Sequence, residues 1–342
     1  MKHSTKLLAA ALIALGLNQA AWAANVPDFR ETLQLAERGN AQAQFNLGVM
    51  YETGRGVRQN YAEALRWYQK AAEQRDARAQ TLLGVMYEDG RGVRKNYAEA
   101  VKWYQQAAAQ GYAEAQTLLG MMYEDGRGVR KNDAEAVRWY RQAAEQGVAQ
   151  AQTNLGLMYA EGQGVRQDDA EAVRWFRQAA EQGVAQAQTN LGNMYAQGRG
   201  VRQDDAEAVR WFRQAAAQGN STAQFNLGVA YNKGQGVRQD YAEAVRWFRQ
   251  AAEQGDAPAQ GLLGGMYKNG LGVRQDDAEA VRWFRQAAEQ GFAPAQGLLG
   301  AMYFQGHGVR QNRALAQEWF GRACQNGHQD SCDFYQRLKA GY

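Results

Sequence analysis

Histidine, cysteine and proline are scarce in this chain of 342 residues, at 3, 2 and 3. Beyond residue 23 the only histidines are His307 and His328, too few and too poorly partnered for a catalytic triad or a zinc site. Ser221 and Ser331 are the only serines there, and neither begins the Ser-x-x-Lys arrangement that activates a nucleophilic serine. Charge of one sign is also missing. The 39 basic and 35 acidic residues give +4, not the clustered excess of base of a nucleic-acid binder. Past residue 23, no apolar run is long enough to cross a membrane.

Glycine and tryptophan, at 38 and 9, are plentiful, and they keep time. The glycine of a Leu-Gly pair recurs every 36 residues from Gly48 to Gly300, and a tryptophan does so from Trp67 to Trp319. A G-x-G-V turn keeps the same beat, so eight full units span 41–328. Fixed self-similarity of this length is the mark of a solenoid of stacked supersecondary units.

Each unit reads as two helices. In the unit that starts at Ala113, the residues Ala115, Leu119, Gly120 and Tyr123 lie on one helical face, and Gly126 supplies the left-handed stop. Asn132 with Glu135 three residues on reads as a capping box opening the second helix, whose buried face is Ala136, Trp139, Tyr140 and Ala143. Gly90-Arg91-Gly92, followed by Arg94 and Lys95 and repeated at Gly126-Arg127-Gly128, superficially suggests a phosphate loop. A functional one needs a preceding strand and Gly-Lys-Ser/Thr entering a helix, and both are missing. Mid-helix glycine costs about 1 kcal/mol against alanine, so eight Leu-Gly glycines imply a close helix approach at each.

Lys2 and Lys6, the apolar stretch Leu7–Leu17 and Ala21-Trp22-Ala23 read as a signal peptide cut after Ala23. No cysteine follows the cut, so no lipid anchor is expected there. The expected plan is 1–23 leader, 24–40 capping helix, 41–328 repeats and 329–342 a partial repeat or C-terminal cap. The expected location is the periplasm or the exterior.

The unit A-x-A-Q-x-x-L-G-x-M-Y-x-x-G-x-G-V-x-x-[ND]-x-A-E-A-x-x-W-[YF]-x-x-A-A resembles the Sel-1-like repeat, a relative of the tetratricopeptide repeat, over roughly 28–335. The resemblance implies an all-α fold, a right-handed α/α superhelical solenoid, and an adaptor that binds proteins or peptides. Exported bacterial members are linked to envelope functions or host-cell contact. Cysteine-rich members join successive helices by a C-x7-C disulfide, which implies a bridge between Cys324 and Cys332 here. Some of those relatives carry a β-lactamase label, but this chain lacks the residues for it. No catalysis and no cofactor or metal is expected; nucleic acid is not an expected partner.

The expected binding face is a stripe of the first helix at unit positions 2, 5, 9 and 12, the concave side by analogy with the tetratricopeptide fold. Positions 12 and 13 supply Glu52, Glu88, Asp89, Glu124 and Asp125 in the early units, and Lys268 and Phe304 late in the array. Thr153, Asn193 and Phe225 fall on the same stripe. Small residues at Gly261, Gly265, Gly297 and Ala301 are expected to leave space, with Phe304 as a wall. The stripe predicts a partner with basic character along the Glu88–Glu124 half. The alternatives are an envelope-structural protein holding peptidoglycan or, further off, a β-lactamase-like enzyme.

Overall fold

The computed structural model describes residues 28–340, so the leader expected at 1–23 lies outside the described residues. Among the described residues there are helices and turns and no strand. The chain divides between Ala179 and Ala180 into two compact units. The first holds the helix Phe29–Glu37 and the pairs Ala41–Thr53 with Tyr61–Glu73, Ala77–Asp89 with Tyr97–Ala109, and Ala113–Asp125 with Asp133–Glu145, followed by Ala149–Glu161 and most of Asp169–Glu181, within which the division falls. The second holds the pairs Ala185–Gln197 with Asp205–Ala217, Ser221–Lys233 with Tyr241–Glu253, Ala257–Asn269 with Asp277–Glu289 and Ala293–Gln305 with Arg313–Gln325, then Gln329–Lys339. Each unit is an α/α solenoid of stacked pairs.

The turn between the helices of a pair is set by its two glycines. Gly126 caps Ala113–Asp125 at φ +69, a left-handed conformation that costs glycine no Cβ clash. Gly128 sits at φ +71 against the preceding repeat, where a Cβ would lie 2.3 Å from the Tyr97 carbonyl oxygen. Both glycines are therefore used by packing, which disposes of the phosphate-loop reading. Asn132 then caps the second helix by accepting from the Glu135 backbone N–H at 3.2 Å. The Glu135 carboxylate turns instead to Arg138 at 2.7 Å, so only half of the expected capping box forms.

The Leu-Gly glycine lies under the aromatic ring of the paired helix. A Cβ on Gly84 would stand 2.3 Å from the Tyr104 ring, and one on Gly228 would stand 2.5 Å from the Phe248 ring. That contact is the close approach that the repeated glycine implied. Beside it Trp175 and Trp283 sink into the core, each 4% exposed, and Arg174 and Arg282 cover their ring faces.

Successive pairs are tied by a buried glutamine. Gln80 donates to the Ala72 carbonyl at 3.2 Å, at the end of the preceding helix, and Gln110 donates to Gln80 at 2.7 Å. Gln296 repeats the arrangement on Ala288 at 3.0 Å. One unit later Cys332 stands where Gln296 stands and Cys324 where Ala288 stands. Those two cysteines are bonded, with Cα atoms 4.7 Å apart. A covalent link thus takes over the last of the glutamine ties.

Candidate protein-binding face

The first-helix stripe is less uniformly open than its sequence suggested. Glu52 is 2% exposed. It accepts from the Tyr68 hydroxyl at 2.7 Å and from Arg91 of the next repeat at 3.0 Å. Glu88 repeats this with Tyr104 at 2.9 Å and Arg127 at 2.5 Å. Asp89 pairs with Arg91, and Asp125 pairs with Arg127 Nε at 2.9 Å. Each arginine therefore spans the position-12 glutamate of one repeat and the position-13 aspartate of the next. Glu52, Glu88, Asp89 and Asp125, expected as a partner-facing surface, are engaged by the chain's own arginines. The physical reason is that carboxylates as buried as Glu52, Glu88 and Asp89 need a compensating donor, and the turn arginine is within reach; Asp125, paired with the same arginine, remains 54% exposed.

Burial pushes the Glu52 carboxyl above the usual carboxylate range, and the Tyr68 hydroxyl and Arg91 offset part of that. The hydroxyls of Tyr68 and Tyr104 are raised well above the usual phenol range by burial and then by the adjacent glutamate. They stay protonated and act as fixed donors.

The glutamate and the tyrosine come and go together. Glu52, Glu88 and Glu124 face Tyr68, Tyr104 and Tyr140. From Ala160 onward position 12 carries no acid and the paired aromatic is phenylalanine, from Phe176 to Phe320. This coupling across 16 residues is the signal that could have identified the acidic stripe as internal packing.

The remaining stripe residues divide between packing and surface. Thr153 is buried at 1% and donates back to the Ala149 carbonyl at 2.8 Å, so it is not available to a partner. Phe225 packs 6.0 Å from Phe248, partly buried. The spaces expected at Gly261 and Gly297 are filled from the next repeat, by the Phe292 ring and by Ser331 with His328. Gly265 does face open space. Lys268 and Phe304 are half-buried, with Arg313 above the Phe304 ring at 5.7 Å. Asn193 is half-buried and accepts from Asn226 at 2.9 Å.

Loss of the acid–tyrosine–arginine set changes the gap between neighbouring first helices. In the first unit the gap lined by Val85, Glu88, Tyr104, Met121 and Arg127 holds a cavity of about 20 Å³. The corresponding gap in the second unit is about 200 Å³. It is lined by Asn193, Ala196, Phe212, Asn226, Val229 and Gln235. Ala196, Phe212 and Gln235 stand there where Glu88, Tyr104 and Arg127 stand in the first.

Among the described residues no helix is long and apolar enough to cross a membrane. The Sel1 repeat pattern matches eight consecutive stretches, 41–76, 77–112, 113–148, 149–184, 185–220, 221–256, 257–292 and 293–328. Among solved structures, the chain is similar to a protective antigen present in uropathogenic Escherichia coli strains that displays an SLR fold. Identity is 38%, coverage 91% of this chain and 67% of that one, and TM-score 0.84. It is also similar to a Sel1 repeat protein from Oxalobacter formigenes, at 34% identity, 90% and 89% coverage, and TM-score 0.70. No curated protein matches the chain.

Proposed function

This chain belongs to the Sel1 repeat family, whose members are generally non-catalytic protein-interaction scaffolds, and on that premise we propose that it holds an extended protein segment along its first helices, outside the cytoplasm. The observation that carries this reading is the cavity at Asn193 and Asn226. Ala196, Val229 and Phe212 line it beside the carboxamides of Asn193, Asn226 and Gln235 and the carboxylate of Asp205. The Asn226 side chain spends one N–H on the Asn193 oxygen, leaving the Asn193 amide nitrogen and the Asn226 oxygen for a ligand. A donor and an acceptor side by side suit a peptide group, which offers one of each. The extracytoplasmic placing draws on the Cys324–Cys332 bond, since disulfides persist in oxidising compartments, and on the description of the E. coli relative as an antigen. A role in envelope function or in host-cell contact would follow from that placing.

The test is site-specific photo-crosslinking in the native host envelope. A photoreactive residue replacing Asn226 is expected to give a discrete protein adduct. The same residue replacing Arg246, exposed on a second helix, is expected to give none. Adducts with peptidoglycan fragments at 226, or equal protein adducts at both sites, would overturn the reading.

A further inference from the structure

The chain repeats one arginine-binding arrangement and then leaves a third copy without its arginine. In the first copy Arg91 Nη1 lies 3.0 Å from Glu52 Oε1 and its other terminal nitrogen pairs with Asp89, while Tyr68 holds Glu52 Oε2 at 2.7 Å. In the second, Arg127 Nη1 meets Glu88 Oε1 at 2.5 Å and its Nε meets Asp125 at 2.9 Å, while Tyr104 holds Glu88 Oε2 at 2.9 Å. In the third, Tyr140 holds Glu124 Oε2 at 2.5 Å, and Glu161 occupies the position of Asp89 and Asp125. The turn residue that should carry the guanidinium is Gln163. Glu124 Oε1, the oxygen that takes the arginine in both earlier copies, has no donor among the described residues, and Glu161 has no ion pair there.

We propose that Glu124, Glu161 and Tyr140 form a seat for an arginine side chain of the partner protein, which completes the position that Arg91 and Arg127 fill from within. This rests on the scaffold reading above and names the chemistry of one anchor of that partner. A planar guanidinium suits two carboxylates on either side of it, because it presents its donors in a fixed fork. A lysine ammonium is a compact point charge and cannot bridge both in the same way. Tyr140 keeps the Glu124 carboxylate in place before the ligand arrives, so little side-chain freedom is lost on binding. The expected acidic stripe thus contracts to its final member: Glu52 and Glu88 are already occupied, and Glu124 is the one that receives a partner.

The test uses the full chain and three capped tripeptides, Gly-Arg-Gly, Gly-Lys-Gly and Gly-citrulline-Gly, titrated calorimetrically. The arginine peptide is expected to bind saturably, the lysine peptide at least tenfold more weakly and the uncharged citrulline peptide not detectably. Gln163→Arg should fill the seat with the chain's own guanidinium, raise the thermal midpoint and abolish arginine-peptide binding. Glu124→Gln should weaken that binding at least tenfold with helical circular dichroism unchanged. Unaltered affinity in Gln163→Arg, or no saturable binding by the wild type, would overturn the seat. The crosslink at residue 226 lies in the other unit. If it persists while the arginine peptide fails, the seat alone falls; if it is lost while the peptide binds, the scaffold reading falls.

Discussion

The same place in the repeat is built in two ways. In the first unit Glu52, Tyr68 and Arg91 fill the gap beside the Leu-Gly glycine with a carboxylate, a phenol and a guanidinium. In the second unit Ala196, Phe212 and Gln235 occupy the equivalent positions, and the gap opens to about 200 Å³. The ring-on-glycine contact survives both solutions, at 2.5 Å for Gly48 and 2.6 Å for Gly192 measured to a Cβ placed there. The fold therefore does not depend on the polar set. Where the polar set is present the gap between first helices is nearly filled by the chain, and beside Ala196, where it is absent, the gap stands open.

The largest effect should come from breaking the polar set in one place only. Arg91→Gln leaves Glu52 buried without its cation. Removing one member of a buried pair costs about 3–5 kcal/mol, and the low end applies because the Arg91 side chain keeps 16% exposure. The triple change Glu52→Ala, Tyr68→Phe, Arg91→Gln, which copies the second unit, should recover most of that loss, since an apolar replacement of a buried ion pair is often neutral. Urea unfolding of both variants checks this. A triple variant as unstable as the single one would mean that the two solutions are not interchangeable.

The end of the second unit offers a covalent version of the comparison. Cys324→Ser removes a bridge across a short loop and should cost about 2–3 kcal/mol, confined to the final helices, with the remaining circular dichroism intact. Cys324→Ala with Cys332→Gln rebuilds the tie seen between Ala288 and Gln296, and should regain about 1 kcal/mol, the worth of an ordinary hydrogen bond. Hydrogen exchange of Gln329–Lys339 distinguishes local fraying from global loss.

The glycines allow a finer comparison. A methyl group on Gly84 would meet the Tyr104 ring at 2.3 Å, and that ring is pinned by its hydroxyl bond to Glu88. On Gly300 the nearest ring atom, of Phe320, is 3.0 Å away and carries no such tether. Overpacking costs about 1–3 kcal/mol, while alanine in place of mid-helix glycine returns about 1 kcal/mol. Gly84→Ala should therefore lose about 2 kcal/mol and Gly300→Ala should be near neutral by thermal melting. Equal losses would show that the hydroxyl tether does not fix the ring.

Periodicity made the fold legible, because each unit repeats the same helix signals: the left-handed glycine, the Asn or Asp cap and the Leu-Gly pair. The site was legible only in part. The binding stripe was placed by helix position and by analogy, and at position 12 the change of residue along the array records a change of packing partner. Position 12 varies with the aromatic residue 16 positions further on, as Glu88 does with Tyr104, glutamate standing with tyrosine and the other residues with phenylalanine. A single helix face carries no sign of partners that far away along the chain. Thr153 misled in another way, since it lies on the stripe yet is 1% exposed and bonded to the Ala149 carbonyl.

The smallest effect is one of pH, and it separates the two solutions chemically. Burial raises the Glu52 carboxyl above its usual value of 4.5 despite Tyr68 and Arg91. A raised carboxyl binds its proton more tightly folded than unfolded, so its contribution to stability is fully present below the unfolded value. That contribution is lost as pH rises through the folded value. Wild type should thus gain on Glu52→Gln as pH falls from 7 toward about 4.5. The carboxamide does not titrate, so the difference between the two urea midpoints isolates this one group. A substitution at Ala196 has no such group to isolate, and Ala196→Ser should track the wild type at every pH. If the Glu52→Gln difference instead moves against wild type on acidification, the ionised Glu52–Arg91 pair outweighs the burial cost. The polar set would then be a net source of stability and not a tolerated equivalent of the apolar one.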